Sequence, residues 1–318
     1  MIPRSKDVAE RAGVSRSTVS QILNGHAELF TDETRARVAD AVAELGYQPS
    51  AAGRTLARGS SDIVIALIPN TTFGSNLQDI YGALTNELAQ RGLTLVLRLS
   101  QDSAESLDRL AMGLKPRAVI TLTAMPEDQK AALATRGIEV IEPDNSSGAD
   151  VNAQIGELQA RYLIDKGYRS LAYAHLHDER NDPFGTPREL MFAQECRSSG
   201  LPEPRVLHLG INPESADAAL DQLGGRGFAV ACYNDDVATA LLHAATQRGW
   251  KVPDDLALVG MDNTALSRLT TPPLTTVGYD ASEVIAASVR SVLSRLDKSD
   301  DARTSVDVRV EVIERASA

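Results

Sequence analysis

Short aliphatic strands alternate with longer amphipathic segments from residue 61 to the end of the chain. The aliphatic runs read DIVIALIP, TLVLRL, RAVITL, IEVIE, SLAYAHL, RVLHL, FAVACY and LALVGM, and helical segments such as YGALTNELAQRG, LMFAQECRSSG and DDVATALLHAATQRG lie between them. Strands that alternate with helices favour parallel sheets covered by helices on both faces. About 258 residues are sufficient for two such units. We therefore predict an α/β core of two doubly wound parallel-sheet subdomains.

The first sixty residues carry a different pattern, with closely spaced helix starts and stops. The predicted N-caps are Ser5, Ser15 and Thr31, and the predicted stops are Gly13, Gly25 and Gly46. Two short helices joined by a tight turn and braced by a third are typical of a helix-turn-helix. The sequence thus predicts a small all-α unit ahead of the α/β core.

The second predicted helix, within VSRSTVSQILNG, has a polar face that could read DNA bases. At about 100° per residue, Arg16, Ser17, Ser20 and Gln21 fall opposite Val19, Ile22 and Leu23. Arginine can make a bidentate contact to guanine and glutamine one to adenine, while Thr18 and Ser20 suit phosphate. The alternative is the solvated face of an ordinary small helical bundle.

The formal net charge of −11 does not exclude a nucleic-acid partner. Residues 1 to 60 hold eight Lys and Arg against seven acids, whereas the remainder holds 24 against 36. A small N-terminal unit can therefore contact phosphates while the acidic body stays away from them.

A short segment, YQPSAAGRTLARGSS, joins the two parts. Pro49 breaks the preceding structure, and Ser50 can cap a short helix over residues 51–57. Leu56, beside Arg54, Thr55 and Arg58, could act as a wedge in the minor groove. The alternative is a linker whose leucine packs on the next domain.

These N-terminal residues resemble a known family. DVAERAGVSRSTVSQILNG, followed by TRARVADAVAELGYQPSAAGRTLA, is similar to the headpiece and hinge of the lactose/galactose repressor (LacI/GalR) family of bacterial transcription regulators. The resemblance implies that two subunits place paired hinge helices in the minor groove of a roughly palindromic operator, with Leu56 opening the central base step. The DNA-contacting residues are then predicted to be Ser5, Arg16, Ser17, Thr18, Ser20, Gln21, Asn24, Arg54, Thr55 and Leu56.

Two positions depart from that family. Gln21 stands where the family usually has arginine, which puts the base preference there in doubt. Gly53 stands where alanine is common, and a glycine inside a helix costs about 1 kcal/mol relative to alanine. We therefore expect residues 50–58 to become helical only on DNA.

The resemblance continues into the core through ACYNDDVATALL and DLALVGMDNTALSRLTTPPLTTVGYD. It implies a type I periplasmic-binding-protein-like core whose subdomains are joined by crossing segments, one of them TPPLTTV. The expected division is a headpiece over 1–48, a hinge helix and linker over 49–60, an N-terminal subdomain over 61–160 with 276–298, and a C-terminal subdomain over 161–275 with 299–318.

A small-molecule effector site is expected between the subdomains. In open sheets, ligands bind beyond the carboxyl ends of the strands. Predicted contacts near those ends are Asn70, Phe73, Asn76 and His175, and the resemblance adds Arg188, Asn234 and Asp262. Any one of these could instead be a turn residue, and Arg188 a surface arginine at a helix start. Because aromatic residues make up only 4% of the chain, the choice between a sugar-like and a nucleobase-like effector stays open.

Catalysis is not expected. The chain has no GxxxxGK[ST], no GxGxxG after a strand and no GxSxG. His175, His177 and Asp178 could be metal ligands but lack a fourth ligand at suitable spacing, so no metal or cofactor is predicted. Isolated Cys196 and Cys232 do not suggest a disulfide. The alternatives are an α/β enzyme or a cytoplasmic small-molecule-binding protein without an operator.

Location and assembly follow from what the sequence lacks. No apolar run reaches the roughly 18 residues of a membrane span, and the first residues do not resemble a secretory signal. We expect a cytoplasmic protein without membrane contact. A two-fold operator calls for a two-fold protein, and no leucine heptads follow EVIERASA, so a homodimer is expected.

Overall fold

The computed structural model describes residues 3–23, 26–48, 55, 59–99, 104–142, 151–178, 180, 182–279, 281–296 and 309–318. The predicted DNA contacts Asn24, Arg54 and Leu56 lie outside these residues, as does most of the segment expected to fold on DNA. Within that segment Thr55 is helical, and its carbonyl accepts a hydrogen bond from the Gly59 N–H at 2.9 Å.

Three α-helices form the N-terminal unit. They are α1 (Ser5–Ala12), α2 (Arg16–Leu23) and α3 (Asp32–Leu45), with a single 3-10 turn at Ala27–Leu29. Val8, Val19 and Val38 are fully buried at the centre of this unit. Each helix thus contributes a fully buried side chain to a shared core, as the helix-turn-helix pattern requires.

Most of the predicted helix signals act as expected. The hydroxyls of Ser15 and Thr31 accept hydrogen bonds from the backbone N–H three residues later, at 3.0 and 3.3 Å. Gly13 and Gly46 end their helices with φ values of 66° and 61°. A left-handed residue lets the chain turn away, and glycine adopts it without strain.

The predicted cap at Ser5 is wrong. Ser5 is the first residue of α1, and Arg4 is the N-cap. The backbone N–H of Arg4 donates to the Asp7 carboxylate at 2.7 Å. The acidic side chain in the first turn therefore satisfies the helix start in place of a serine hydroxyl.

In the described part of the chain, the first sheet contains four parallel strands in the order β2-β1-β3-β4. The strands are β1 (Ile63–Ile68), β2 (Thr94–Leu99), β3 (Ala118–Thr121) and β4 (Glu139–Ile141). The helices between and after them are α4 (Ser75–Gln90), α5 (Ala104–Leu114) and α6 (Glu127–Ala134).

Six strands of the second sheet lie among the described residues, in the order β10-β9-β8-β7-β5-β6. They are β5 (Leu171–Leu176), β6 (Arg205–Leu209), β7 (Phe228–Cys232), β8 (Leu256–Met261), β9 (Thr275–Tyr279) and β10 (Val310–Ile313), and β10 alone of these runs antiparallel to its neighbour. The associated helices are α7 (Val151–Asp165), α8 (Gly185–Ser198), α9 (Pro213–Gln222) and α10 (Asp235–Gln247).

Helices cover both faces of each sheet, which is the doubly wound arrangement predicted from the alternating pattern. In the first sheet, Val64 and Ile65 are neighbours on one strand but belong to separate apolar clusters. In the second sheet, Ala172 and Tyr173 are divided in the same way. Strand residues alternate between two buried faces, so the aliphatic runs are nearly continuous.

The expected subdomain boundaries are wrong by several residues at both crossings. Helix α7 packs wholly against the second sheet, with Ile155 and Leu163 in its core, so the division at residue 161 falls inside a helix that belongs to one unit. Strand β9 pairs with β8 and β10, so residues 276–279 also belong to the second sheet. The chain returns to the first sheet after Tyr279, where α11 (Ala281–Leu296) packs on it through Val292.

Among the described residues, no helix combines the length and the apolar character needed to cross a membrane.

Candidate functional site

The exposed side of α2 is polar, as predicted. Arg16, Ser17, Ser20 and Gln21 are exposed, Thr18 is half-buried, and Val19 is fully buried against the other helices. The capping hydroxyl of Ser15 holds the Thr18 hydroxyl at 2.9 Å. The short helix therefore presents a row of hydrogen-bonding side chains on a fixed backbone. Their contact with DNA, and that of half-buried Ser5 on α1, stays a prediction.

A second polar cluster lies where the two sheets face each other. It joins residues that follow β1 to residues that follow β7 and β8. Hydrogen bonds between the described residues connect the two sides, among them Asn76 Nδ2 to Asp262 Oδ1 (3.0 Å), Asn234 Nδ2 to Thr72 Oγ1 (2.7 Å), and the hydroxyls of Tyr233 and Thr71 (3.1 Å). We call this place the cleft, and it lies at the strand ends where an effector site was predicted.

Asn234 reaches the cleft because it is also the N-cap of α10. Its Oδ1 accepts from the Val237 N–H at 2.9 Å, which leaves the amide nitrogen to donate across the cleft to Thr72. The side chain is only 2% exposed, so both ends of the amide must be satisfied. Helix capping therefore orients the group that faces the cleft.

Asp262 and Asn263 form a strained turn directly after β8. Their φ values are 101° and 48°, a region that non-glycine residues rarely occupy. Asp235 holds this turn, because its carboxylate accepts from the Thr264 N–H at 2.7 Å and from the Thr276 hydroxyl at 2.6 Å. The strain is thus compensated by bonds that direct Asp262 toward the other sheet.

The carboxyl group of Asp262 has a raised pKa. Burial raises its pKa to about 7, against the opposing effect of the nearby Arg188 guanidinium and the Asn76 hydrogen bond. A carboxyl with a pKa near neutrality can accept or donate hydrogen bonds in the cleft, depending on pH.

Arg188 is buried beside the same strand ends. Its Nε donates to Asn152 Oδ1 at 3.0 Å and one terminal nitrogen donates to the Tyr233 carbonyl at 2.7 Å. The guanidinium carbon lies 5.1 Å from the centre of the Tyr233 ring. The side chain is therefore a positioned donor and not a surface arginine, since its exposed fraction is 7%.

Close helix packing places Arg188 there. A Cβ added to Gly156 on α7 would lie 2.7 and 2.8 Å from the backbone C and Cα of Arg188, and nearer still to its carbonyl oxygen. Only glycine lets α8 approach α7 this closely. This role of Gly156 has no signature in the sequence pattern.

The remaining predicted contacts are arranged differently. Asn70 is exposed after β1. Phe73 is 39% exposed and stacks loosely on Tyr81, with 6.1 Å between ring centres. His175 is 5% exposed, and both its ring nitrogens already face carboxylates, those of Asp182 and Glu189. A direct effector contact by these residues stays a prediction, and for His175 the geometry favours an indirect role.

Several cleft residues were not predicted. Tyr233 directly follows β7 and Thr71 comes three residues after the end of β1, so the strand-end argument could have found them. Asp235 is among the polar residues after FAVACY that the strand-end argument singles out, whereas Asn152 and Glu189 lie on helices and come to the site only through packing.

Comparisons with known proteins agree with this arrangement. Residues 6–50 match the model of the bacterial regulatory proteins of the lacI family, and residues 160–318 match that of the periplasmic binding protein-like domain. The HTH-type transcriptional repressor PurR of Escherichia coli O1:K1 / APEC is 30% identical over 328 residues, which covers 98% of this chain and 96% of the relative. The chain belongs to the LacI family.

Solved structures show the same fold. The lac repressor dimer bound to operator and the anti-inducer ONPF is 20% identical, with a TM-score of 0.75 and coverage of 100% of this chain and 99% of that one. The transcriptional regulator CelR in complex with cellobiose is 22% identical, with a TM-score of 0.68 and coverage of 99% and 100%.

Membership in the LacI family makes this chain a DNA-binding transcription regulator. The expectation that it is not an enzyme is confirmed by its repressor relatives. The three helices of the N-terminal unit lie almost wholly within the first matched range, and strands β5 to β10 lie within the second.

Proposed function

We propose that this LacI-family chain is a cytoplasmic repressor that binds a roughly palindromic operator as a homodimer and responds to a small polar effector in the cleft. The observation that carries the proposal is that the polar groups of the cleft come from both sheets. A molecule bound there contacts both subdomains at once, so it can change how they are arranged.

The DNA side of the proposal rests on α2. Its exposed Arg16 and Gln21 are suited to guanine and adenine, and its serines to phosphate oxygens. The ion pair of Arg11 with Glu44 at 2.5 Å joins α1 to α3, and neither residue belongs to α2.

The effector side rests on Arg188, Asn234 and Asp262. Together they offer fixed donors and acceptors around a small space, as the hydroxyls of a sugar or the polar edge of a nucleobase require. The cellobiose of the CelR complex and the ONPF of the lac repressor complex occupy relatives of the same fold. These support a polar effector without selecting one.

Coupling between the two functions follows from the cross-cleft bonds. An effector that replaces the Asn76–Asp262 and Thr72–Asn234 hydrogen bonds stabilises one arrangement of the subdomains over another. Because each headpiece is joined through the hinge to its N-terminal subdomain and moves with it, that change alters the spacing of the two DNA-reading helices in a dimer.

The homodimer is supported by apolar side chains on the surface. Strand β2 is an edge strand, and its Leu97 and Leu99 are 43% and 62% exposed. On the second unit, Leu266 and Leu269 are 68% and 76% exposed. Exposed leucines on both subdomains suit an interface along the length of the core.

Two experiments test the proposal. In a gel shift, the full chain should retard palindromic sites from its own upstream region, and Arg16→Ala should abolish that retardation. A chain that ignores every site offered would contradict operator binding.

A thermal-shift screen of sugars, nucleosides and nucleobases tests the cleft. A true effector should raise Tm in the wild type but not in Arg188→Ala or Asp262→Ala. Arg197→Ala, which alters an exposed arginine on the same helix as Arg188, should keep the shift. A compound that raises the Tm of both cleft variants as much as that of the wild type would contradict the assignment of the effector site to the cleft.

A further inference from the structure

The imidazole of His175 lies between two carboxylates. Its Nδ1 faces Asp182 Oδ2 and its Nε2 lies 3.0 Å from Glu189 Oε2. His175 is the penultimate residue of β5, Asp182 belongs to the loop that follows, and Glu189 lies on α8 next to Arg188. The ring thus connects a strand end, a loop and the helix that carries the cleft arginine.

The hydrogen-bonding chemistry decides the charge of this ring. An ionised carboxylate can only accept hydrogen bonds, and a neutral imidazole has only one N–H to donate. Two ionised carboxylates on opposite ring nitrogens can both be satisfied only when each nitrogen carries a proton. We infer that His175 is held as an imidazolium and is a positioning residue, which fixes Arg188 by binding the loop to α8.

The chain leaves space for this contact. A Cβ added to Gly185, the first residue of α8, would lie 2.7 Å from His175 Nδ1 and closer still to the Asp182 carboxylate. Any larger residue at this position would separate the loop from the ring. The absence of a side chain at Gly185 is therefore part of the same arrangement.

Two ring side chains pack against His175 in the part of the chain that the structure describes. His208 on β6 stacks on it at 5.1 Å, and Tyr173 on the same strand meets it edge-on at 4.8 Å. Burial and the neighbouring histidines His175 and His177 lower the pKa of His208, so it favours the neutral form. Asp182 from the loop and Glu189 from α8 are the two carboxylates that face the ring.

The balance of effects on His175 agrees with the geometry. Burial by itself lowers its pKa, but the hydrogen bonds and charges of Asp182 and Glu189 outweigh burial and raise the pKa above its ordinary value. Because the pKa is raised, the contact of His175 with both Asp182 and Glu189 is fully present below the ordinary histidine pKa. It is lost as pH rises through the pKa of His175 in the folded chain.

Loss of the proton has a defined consequence for the cleft. A neutral ring can donate to one carboxylate only, so the other is left against a lone pair and moves toward solvent. Glu189 is the more exposed of the two, and it is adjacent to Arg188 in α8. Release of Glu189 loosens the first turns of α8 and with them the Arg188 hydrogen bonds to Asn152 and Tyr233. The meaning of that step for effector binding rests on the proposed function, whereas the charge of His175 does not.

Side-chain NMR of the ligand-free full chain tests the charge. Long-range ¹H–¹⁵N spectra of the histidine rings, assigned with His175→Gln and His208→Gln, should show both His175 nitrogens protonated at pH 7, while His208 is neutral. Glu189→Gln, which alters a partly exposed residue, should lower the midpoint of the His175 titration by about one pH unit. A His175 ring with one unprotonated nitrogen at pH 7 would overturn the inference.

The positioning role has its own readout. Exchange of the Arg188 Nε proton with solvent should become severalfold faster in Glu189→Gln, and in the wild type as pH rises through the His175 titration. Glu195→Gln, a change on the same helix away from the ring, should leave that exchange unchanged. If Glu189→Gln lowers the His175 titration but not the protection of Arg188, the positioning role is wrong. None of these measurements uses an effector, so they stand or fall separately from the proposed function.

Discussion

The side-chain amide of Asn76 donates to the carboxylate of Asp262 at 3.0 Å, although the two residues follow strands of different sheets. Thr72 and Asn234 form a second such bond at 2.7 Å. The groups proposed to bind an effector therefore satisfy each other before it arrives. An effector must replace these bonds with bonds of its own, so its polar groups are selected by the same donors and acceptors.

Removing one cross-cleft bond should open the cleft. Thr72→Val keeps the shape of the side chain but leaves the Asn234 amide without its acceptor. The arrangement in which the two subdomains meet across the cleft is then destabilised by about 1 kcal/mol. The radius of gyration from small-angle scattering should rise. Thr123→Val, which loses a hydroxyl that contacts the hydroxyl of Thr121 at the end of β3 in the same sheet, should not change it. Equal scattering from all three proteins would show that the bond does not hold the subdomains together.

Stability should fall as pH rises through 7. The folded pKa of Asp262 is raised to about 7, so the folded chain binds a proton that the unfolded chain has already lost. The stabilisation is therefore complete below the ordinary aspartate pKa and disappears as pH rises through 7. Asp262→Asn should reduce the difference in unfolding free energy between pH 5.5 and pH 8.5 by roughly 1 kcal/mol, a figure discounted for solvent around a half-buried side chain.

His175 has the same sign of pH dependence, so the two contributions must be separated. Urea unfolding at both pH values should show a smaller pH effect in each of Asp262→Asn and His175→Gln, and the smallest effect in the double variant. If Asp262→Asn unfolds with the wild-type pH dependence, the pKa of Asp262 in the folded chain does not lie between pH 5.5 and pH 8.5.

Adding a methyl group at Gly156 should damage the Arg188 site. The new Cβ meets the Arg188 backbone, which cannot give way without moving α8, and such overpacking costs about 1–3 kcal/mol. Gly82→Ala is the matched control, because Gly82 also lies inside a helix but has open space around it. Its stability should be unchanged or rise by up to about 1 kcal/mol. Thermal unfolding measures both changes, and a Gly156→Ala protein as stable as Gly82→Ala would mean that α8 can shift freely.

Changing Gln21 should alter base preference more than salt dependence. Gln21→Arg exchanges a side chain suited to adenine for one suited to guanine on the exposed face of α2. Binding to a panel of operator variants should shift toward guanine at one position of each half-site, while the slope of affinity against salt changes by about one charge per headpiece. Uniform weakening across the panel would mean that Gln21 does not contact a base.

The local patterns of the chain predict its fold well. Aliphatic runs separated by helical segments lead to two sheets covered on both faces, because periodicity is a property of neighbouring residues and survives without knowledge of the packing. The polar face of α2 follows from the same reasoning. The predicted crossing point at residue 276 does not match the observed sheets. Residues 276–279 would show the same strand pattern in either sheet, and only their pairing with β8 and β10 assigns them to the second one.

The cleft residues show the same division. The sequence by itself determined that Asn234 and Asp262 stand just after strands, because strand ends are local features, and its family resemblance singled out Arg188. Only the tertiary structure decided what each of them contacts: Gly156 admits α8, Asp235 holds the turn at Asp262, and two carboxylates enclose His175. Those contacts join residues far apart in the chain, and their pKa values and orientations depend on burial and charge that exist only after the sheets and helices have packed.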